Sequence, residues 1–455
     1  MGMARRVKAG GTTHLAIALT GLALLAFGVP AAQAARSEFY GITEGQGLNG
    51  QDILGMSLAK VHTDRFPIQW NLVEPHQNTF SWARTDELVG SMAFNGIRAA
   101  PFVWGSPGWA GTGGLPRPPA STAARAAWQT FLKTAVARYG PGGTFWSTGY
   151  RQRFGSGATP LPVQSWQIWN EPNLKYSYPG TTYKVKAQKY GQLVQISHAA
   201  IKAKDPTAKI VLAGIATQKD PDAFNFLGSL YSVRGIKEDF DAAAQHPYAS
   251  TDAKIKTAIQ RFRNVMVSHG DKATPLWITE FAWGSGPPDG IGINKGLSGQ
   301  ATALTNSYKM LLANRTAWNL QHLFWFLWRD PAPGSDAASG CSFCGTAGLL
   351  KNDRTQKPAM SAFKAFTTDS TAPQATITAG PAPGSSTSDS TPTFSFTSSE
   401  AGSTFQCRFD AKPFAPCATP YTAQPLTKGT HTFNVKAIDA AGNESTIKSR
   451  SFKVV

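Results

Sequence analysis

Ser165-Trp-Gln-Ile-Trp-Asn-Glu-Pro172 is the stretch from which the fold can be read. Residues 165–170 form a short run rich in aromatic and β-branched side chains, the composition of a strand. Pro172 has no N–H to give a neighbouring strand, so the ladder stops just behind Glu171. A carboxylate is thereby set at the carboxyl tip of a strand. Leu276-Trp-Ile-Thr-Glu-Phe281 repeats the arrangement with Glu280, which lies 109 residues beyond Glu171. That interval holds three βα units.

Working outward, further β-rich runs fall at 39–42, 62–68, 97–103, 210–214, 240–245 and 323–327. Helical patterns such as 123–139, 182–203 and 298–312 lie between them. Strands alternating with helices predict parallel βα units, and eight of them predict an α/β (β/α)8 TIM barrel. A doubly wound open sheet is the other architecture. It calls for a glycine-rich phosphate turn after the first strand, and Gly41-Ile-Thr-Glu-Gly45 is not one. In the barrel, Glu171 and Glu280 end strands four and seven and face each other across the rim.

The ends of the chain read differently. Arg5, Arg6 and Lys8 precede an apolar run over 15–29, followed by Ala32-Gln33-Ala34. That is the layout of a secretory signal peptide over 1–34, and the run is shorter than the roughly 20 residues of a membrane span. The expected product is secreted, with no membrane span after the signal is removed. From about Thr367 the composition turns to Thr, Ser, Pro and Gly with short alternating segments at 374–378, 393–396, 432–438 and 449–454. This predicts a small all-β sandwich of immunoglobulin-like size over 369–455, after a barrel domain over 35–368. The segment 380–390 is read as a long loop within that module.

Composition narrows the partners. The 455 residues carry a formal net charge of +17, 42% hydrophobic residues and 13 Trp. The Lys and Arg residues are scattered, without the dense basic runs that mark nucleic-acid binding, so no nucleic-acid partner is expected. An anionic cell envelope or an acidic polysaccharide is a contact the charge admits. The four cysteines form two local pairs, Cys341 with Cys344 and Cys407 with Cys417. In an oxidising compartment these predict two structural disulfides. No ligand-like histidine cluster is present, so no metal or organic cofactor is implied.

Trp169-Asn170-Glu171-Pro172 together with Thr279-Glu280-Phe281 resembles clan A of the retaining glycoside hydrolases, the four/seven barrels, over about 39–366. The looser likeness is to its cellulase-like family five and xylosidase-like family thirty-nine. The resemblance implies Glu171 as acid/base, its pKa raised by its partner's charge, and Glu280 as nucleophile. It implies Asn170 as a hydrogen-bond partner of the sugar 2-hydroxyl. Arg65, in His62-Thr-Asp-Arg-Phe-Pro-Ile-Gln-Trp70, would hold the nucleophile. His246 and Tyr248, in Gln245-His-Pro-Tyr248, would line the site, with Tyr248 donating to Glu280. Trp328 is expected as the floor of the −1 subsite, Trp325 as core, and Trp104 with Trp109 as subsite walls. Tyr176 and Tyr178 are weaker candidates for the same role.

The activity so implied is extracellular hydrolysis of O-glycosidic, β-linked oligo- or polysaccharides by a monomer. The alternative is an inactive barrel serving as a carbohydrate-binding or adhesion protein. The C-terminal module has no Trp to offer as a sugar platform, which favours a spacer or wall-proximal role for it.

Overall fold

The main sheet of the computed structural model is built from ten parallel segments. They are β1 (Tyr40–Thr43), β2 (Thr63–Arg65), β3 (Pro67–Gln69), β4 (Arg98–Ala99), β5 (Phe102–Trp104), β6 (Ser165–Ile168), β7 (Lys209–Ala216), β8 (Ala242–His246), β9 (Leu276–Phe281) and β10 (Leu320–Phe326). Their order is β3-β5-β6-β7-β8-β9-β10-β1-β2-β4. β2 and β3 are halves of one strand broken at Phe66, and β4 and β5 are halves of the next, broken at Ala100 and Pro101. Both ends of the order therefore belong to the same pair of neighbouring strands. The sheet closes on itself as an eight-stave barrel.

The unbroken strands expected at 62–68 and 97–103 are corrected in this detail. Pro101 cannot donate to a ladder, and the pairing is carried past it by Ala100 N–H to Asp64 O (2.8 Å) and Phe102 N–H to Phe66 O (3.0 Å). The structure describes residues 38–455 apart from 45–46, 112–116 and 218–221. The signal-peptide reading falls on residues outside that set.

Strands covered on both faces read as near-continuous apolar runs, and all of β7 after Lys209 is buried. Inside the barrel, Trp277 and Phe324 fill the space left by Ala100, Ala242 and Ala244. Gly41 is part of the same fit, since a Cβ there would stand 2.4 Å from Phe324 Cδ1. The outer helices begin on side-chain caps: Ser121 for Thr122–Tyr139, Thr182 for Tyr183–Lys202 and Thr251 for Asp252–Ser268. Among the described residues no helix is long and apolar enough to cross a membrane.

Beyond the last barrel helix, Pro358–Thr367, come β11 (Ala375–Ala379), β12 (Ser386–Thr387), β13 (Thr393–Ser398), β14 (Thr404–Phe409), β15 (Ala415–Cys417), β16 (Tyr421–Thr422), β17 (Gly429–Ile438) and β18 (Lys448–Val454). They form two sheets, β11-β13-β16 and β12-β18-β17-β14-β15. Phe394, Phe396, Phe409, Phe433 and Phe452 make the core between them. The segment 380–390 supplies β12, which pairs with β18. The disulfide Cys407–Cys417 joins β14 to its edge partner β15.

Residues 36–455 form one compact unit. Ala440 of the sandwich is buried in the barrel's own apolar cluster. Arg315 donates to Gly402 O (3.1 Å), and Asn443 Nδ2 donates to Asp369 O (3.0 Å).

Candidate active site

The carboxyl ends of the staves gather the polar side chains at one mouth. Arg65 ends β2, His246 ends β8, and Asn170 and Glu171 follow β6. The strand before Glu171 stops at Ile168, two residues earlier than the pattern predicts, because the chain leaves the extended region. Trp169 has φ 72° and Glu171 φ 43°, conformations that bulky L residues adopt at a cost of about 1–3 kcal/mol each. Packing holds them there. The Trp169 ring is fully buried against Trp128 and Trp104, with centroids 5.9 and 6.5 Å away, and the residue's backbone N–H donates to Val103 O (2.9 Å).

Glu280 lies within β9, one residue short of its end. Thr279 and Glu280 both reach site residues, although period two would send them to opposite faces. The register explains it. Leu323 pairs with Ile278 and Trp325 with Phe281, so β9 carries an extra residue between them. Such a bulge re-aims side chains, here at the mouth.

Arg65 is buried and forks over three partners. Nη1 donates to Glu280 Oε1 (2.8 Å), Nη2 to Asn170 Oδ1 (2.7 Å), and Nε to Gln167 Oε1. Its guanidinium also lies 4.0 Å from the centre of the Phe102 ring. Gln167 passes the order on through Nε2 to Thr279 Oγ1 (3.3 Å). His246 then bridges Thr279 Oγ1 (3.0 Å, Nε2) and Glu171 Oε1 (3.0 Å, Nδ1), with Glu280 Oε2 at 3.4 Å from the same Nδ1. Carboxylates accept, so the hydrogen sits on Nδ1 and Thr279 donates to Nε2. Tyr248 donates to Glu280 Oε2 (3.3 Å) and Tyr176 to Glu171 Oε2 (2.8 Å). One oxygen of Glu171, one of Glu280 and a His246 nitrogen all lie within 4.8 Å of one another.

Burial sets the protonation of the supporting groups. It pushes His246 down to about 3 from 6.5, with Glu280 pulling the other way. It raises the Tyr248 phenol, and the charges of Glu280 and Glu171 raise it further, so this hydroxyl stays a donor. His246 therefore couples folding to protons. The unfolded imidazole takes up a proton below 6.5 that the folded one refuses until about 3. Its contribution is complete above 6.5 and is lost as the pH falls toward 3. In His246→Asn, the slope of unfolding free energy against pH between those limits is expected to fall by about 1.4 kcal/mol per pH unit. Denaturant titrations across that range measure it.

The aromatic expectations divide. Trp325 is core, with no exposure and Nε1 donating to Ala347 O (3.0 Å). Trp104 is half-buried at the tip of β5. Trp109 is half-buried, tied by Nε1 to Glu74 O (2.9 Å) and edge-on to Trp70 at 5.5 Å. Trp328 is corrected. Its ring is 1% exposed, lies against Gly55 of the helix Gly50–Leu58, and leaves no face for a sugar. It stands beyond the end of β10, where strand alternation no longer predicts direction. Phe326, the last residue of that strand, is only half-buried and sits edge-on to Tyr248 at 6.3 Å.

Gln167, Thr279 and Phe326 are the site neighbours that the sequence reading did not single out. Gln167 had a signal, a polar side chain in the middle of an apolar strand. Thr279 had none, because its direction depends on the bulge. Both disulfides are formed, Cys341–Cys344 and Cys407–Cys417. The first brackets Phe343, which is buried and 4.9 Å from the Tyr248 ring.

The trio Glu171, His246 and Glu280 offers three ligand atoms at metal-like spacing. The Arg65 guanidinium on Glu280 already neutralises that charge and competes with any cation there. Asp369, Glu400 and Asp439 form a second acidic trio, where the sandwich meets the barrel.

Comparison with known proteins fits this geometry. Residues 145–337 match the family model of the glycosyl hydrolase catalytic core. Among solved structures, a family 39 glycoside hydrolase from Bacteroides cellulosilyticus superposes with a TM-score of 0.54 at 16% identity, covering 92% of this chain and 79% of that one. A family 39 enzyme from Xanthomonas axonopodis pv. citri gives 0.51 at 15%, over 88% and 81% of the two chains. A family 39 β-xylosidase from Caulobacter crescentus gives 0.51 at 16%, over 83% and 84%. At these identities the likeness is one of fold. No curated protein matches the sequence. Residues 145–337 of the barrel are thus similar to a glycosyl hydrolase catalytic core, and the barrel has the fold of these three family 39 structures.

Proposed function

We propose that this chain is a secreted, retaining β-glycosidase acting on oligo- or polysaccharides, with Glu171 as acid/base and Glu280 as nucleophile. The observation that carries the reading is the carboxylate pair at the mouth, with oxygens within 4.8 Å. Retaining enzymes need their carboxyl groups about 5 Å apart, since the second must reach the anomeric carbon itself, while inverting ones leave room for a water. The surroundings divide the labour. Arg65 and Tyr248 hold Glu280 from two sides as a charged nucleophile, while Tyr176 and His246 fix the direction of Glu171. Asn170, anchored by Arg65, is placed to meet the 2-hydroxyl, and Phe326 to face the sugar ring.

In the first step Glu280 attacks the anomeric carbon while Glu171 gives its proton to the leaving oxygen. In the second, Glu171 takes a proton from water, which displaces Glu280 and restores the starting anomer. Export is supported by the two disulfides and the leader-like residues 1–34. The proposed division is a leader over 1–34, a catalytic barrel over 35–368 and a sandwich over 369–455. Hydrolysis of aryl β-glycosides followed by NMR tests the mechanism. The first-formed sugar is expected to be the β anomer, and an α product would refute retention.

Gly214 offers a second test, one that leaves both carboxylates in place and acts on them through His246. A Cβ at this position would stand 1.9 Å from His246 Nε2. Gly214→Ala is expected to displace the imidazole and lower kcat/KM by about 10²-fold, the usual penalty for a misplacement of about 1 Å. A thermal melt beside the assay separates this from loss of fold.

A further inference from the structure

A cavity of about 470 Å³ adjoins the loop that follows Glu171. Ser177 and Tyr178 of that loop form one wall, and Ser177 Oγ donates to Glu171 O (3.3 Å). Arg117, Arg125 of the helix Thr122–Tyr139, and Lys189 of the helix Tyr183–Lys202 form the rest of its charged lining. Among the described residues no carboxylate lines it. Arg125 donates only to the neutral Gln192 Oε1 (3.1 Å), and among the described residues none of the three cations is in an ion pair. Three like charges around one concavity repel one another, and an anion bound between them removes the repulsion. An oxygen-rich anion matches the fork of the Arg125 guanidinium and the charge of all three cations.

The position narrows the chemistry. A general acid protonates the leaving-group oxygen, so the loop that carries and follows Glu171 borders the leaving group. We infer that this cavity is a leaving-group subsite for an anionic sugar unit, one that bears a carboxylate or a sulfate. The inference rests on Glu171 as the acid. It gives a local role to part of the chain's positive charge that the hydrolytic site does not use.

Affinity electrophoresis of the full chain in gels containing alginate, dextran sulfate or neutral laminarin tests it, and needs no turnover. Arg117→Gln/Arg125→Gln is compared with Lys448→Gln/Lys453→Gln, which removes the same charge from exposed positions of β18. Retention by alginate or dextran sulfate is expected to weaken about tenfold or more in the first pair and less than about twofold in the second. Which polymer is retained assigns carboxylate or sulfate. Equal weakening in both pairs would reduce the effect to net charge and overturn the inference, as would no retention by either polyanion. A chain that binds the polyanion in this way but cleaves no glycoside would overturn the proposed hydrolysis instead. A chain that cleaves a uronate-bearing oligosaccharide and its carboxyl-reduced form equally well would leave hydrolysis standing and overturn the subsite.

Discussion

Glu280→Gln is expected to lower kcat on aryl β-glycosides by on the order of 10⁴-fold or more, the scale on which other double-displacement enzymes lose activity without their nucleophile. The amide keeps one oxygen, which accepts from Arg65 Nη1, and turns its NH2 toward the Tyr248 oxygen, so a folded protein with an intact Arg65 fork is expected, and a thermal melt checks it. What disappears is the charge that attacks the anomeric carbon. Glu280→Ala with added azide makes the test sharper. A small anion in the vacated space attacks once, and the glycosyl azide formed is expected to have the anomeric configuration opposite to the substrate's. Hydrolysis by Glu280→Gln within tenfold of the parent would remove Glu280 from the mechanism.

Glu171→Gln is expected to show a loss that depends on what is leaving. With a sugar alkoxide as leaving group, proton transfer contributes about 10²–10⁴-fold. With a dinitrophenolate, which departs without a proton, the first step is expected to be nearly normal and the glycosyl-enzyme to accumulate. The measurement is log(kcat/KM) against leaving-group pKa, which becomes steeper in the variant. Azide here attacks the accumulated intermediate, so the azide product is expected to keep the substrate's configuration. The two variants thus give opposite anomers from the same reagent. A uniform loss across all leaving groups would argue that Glu171 positions the substrate and transfers no proton.

The barrel was legible because its strands are buried on both faces. Ile210-Val-Leu-Ala-Gly-Ile-Ala216 contains no polar side chain and reads as a strand without any knowledge of its neighbours. The ends of strands were less legible, for identifiable reasons. Pro172 marks a stop, but the positive φ at Trp169 moves it two residues earlier, a choice imposed by the packing of the indole against Trp104 and Trp128. The bulge in β9 depends on pairing with β10 and has no local signature, so Thr279 could not be placed at the site from alternation. Trp328 and Phe326 show the same limit. A large aromatic near a rim draws attention, whereas exposure is decided by the helix Gly50–Leu58 packing behind it. Arg65, His246 and Tyr248 were reached through a family resemblance and short flanking motifs. Gln167, which links Arg65 to Thr279, belonged to no such motif and was marked only by being polar within an apolar strand.

The attachment of the sandwich has a directional consequence. Arg315 precedes β10, and Tyr40, whose phenol feels Asp439 of the sandwich, begins β1. Those are the amino ends of the staves, whereas Arg65, His246 and Phe326 occupy the carboxyl ends. Ala440 is buried in the barrel's apolar cluster, so the two pack as one compact unit. A surface gripped by the sandwich would therefore face the closed base of the barrel. The cleft would open away from that surface, toward chains arriving from outside.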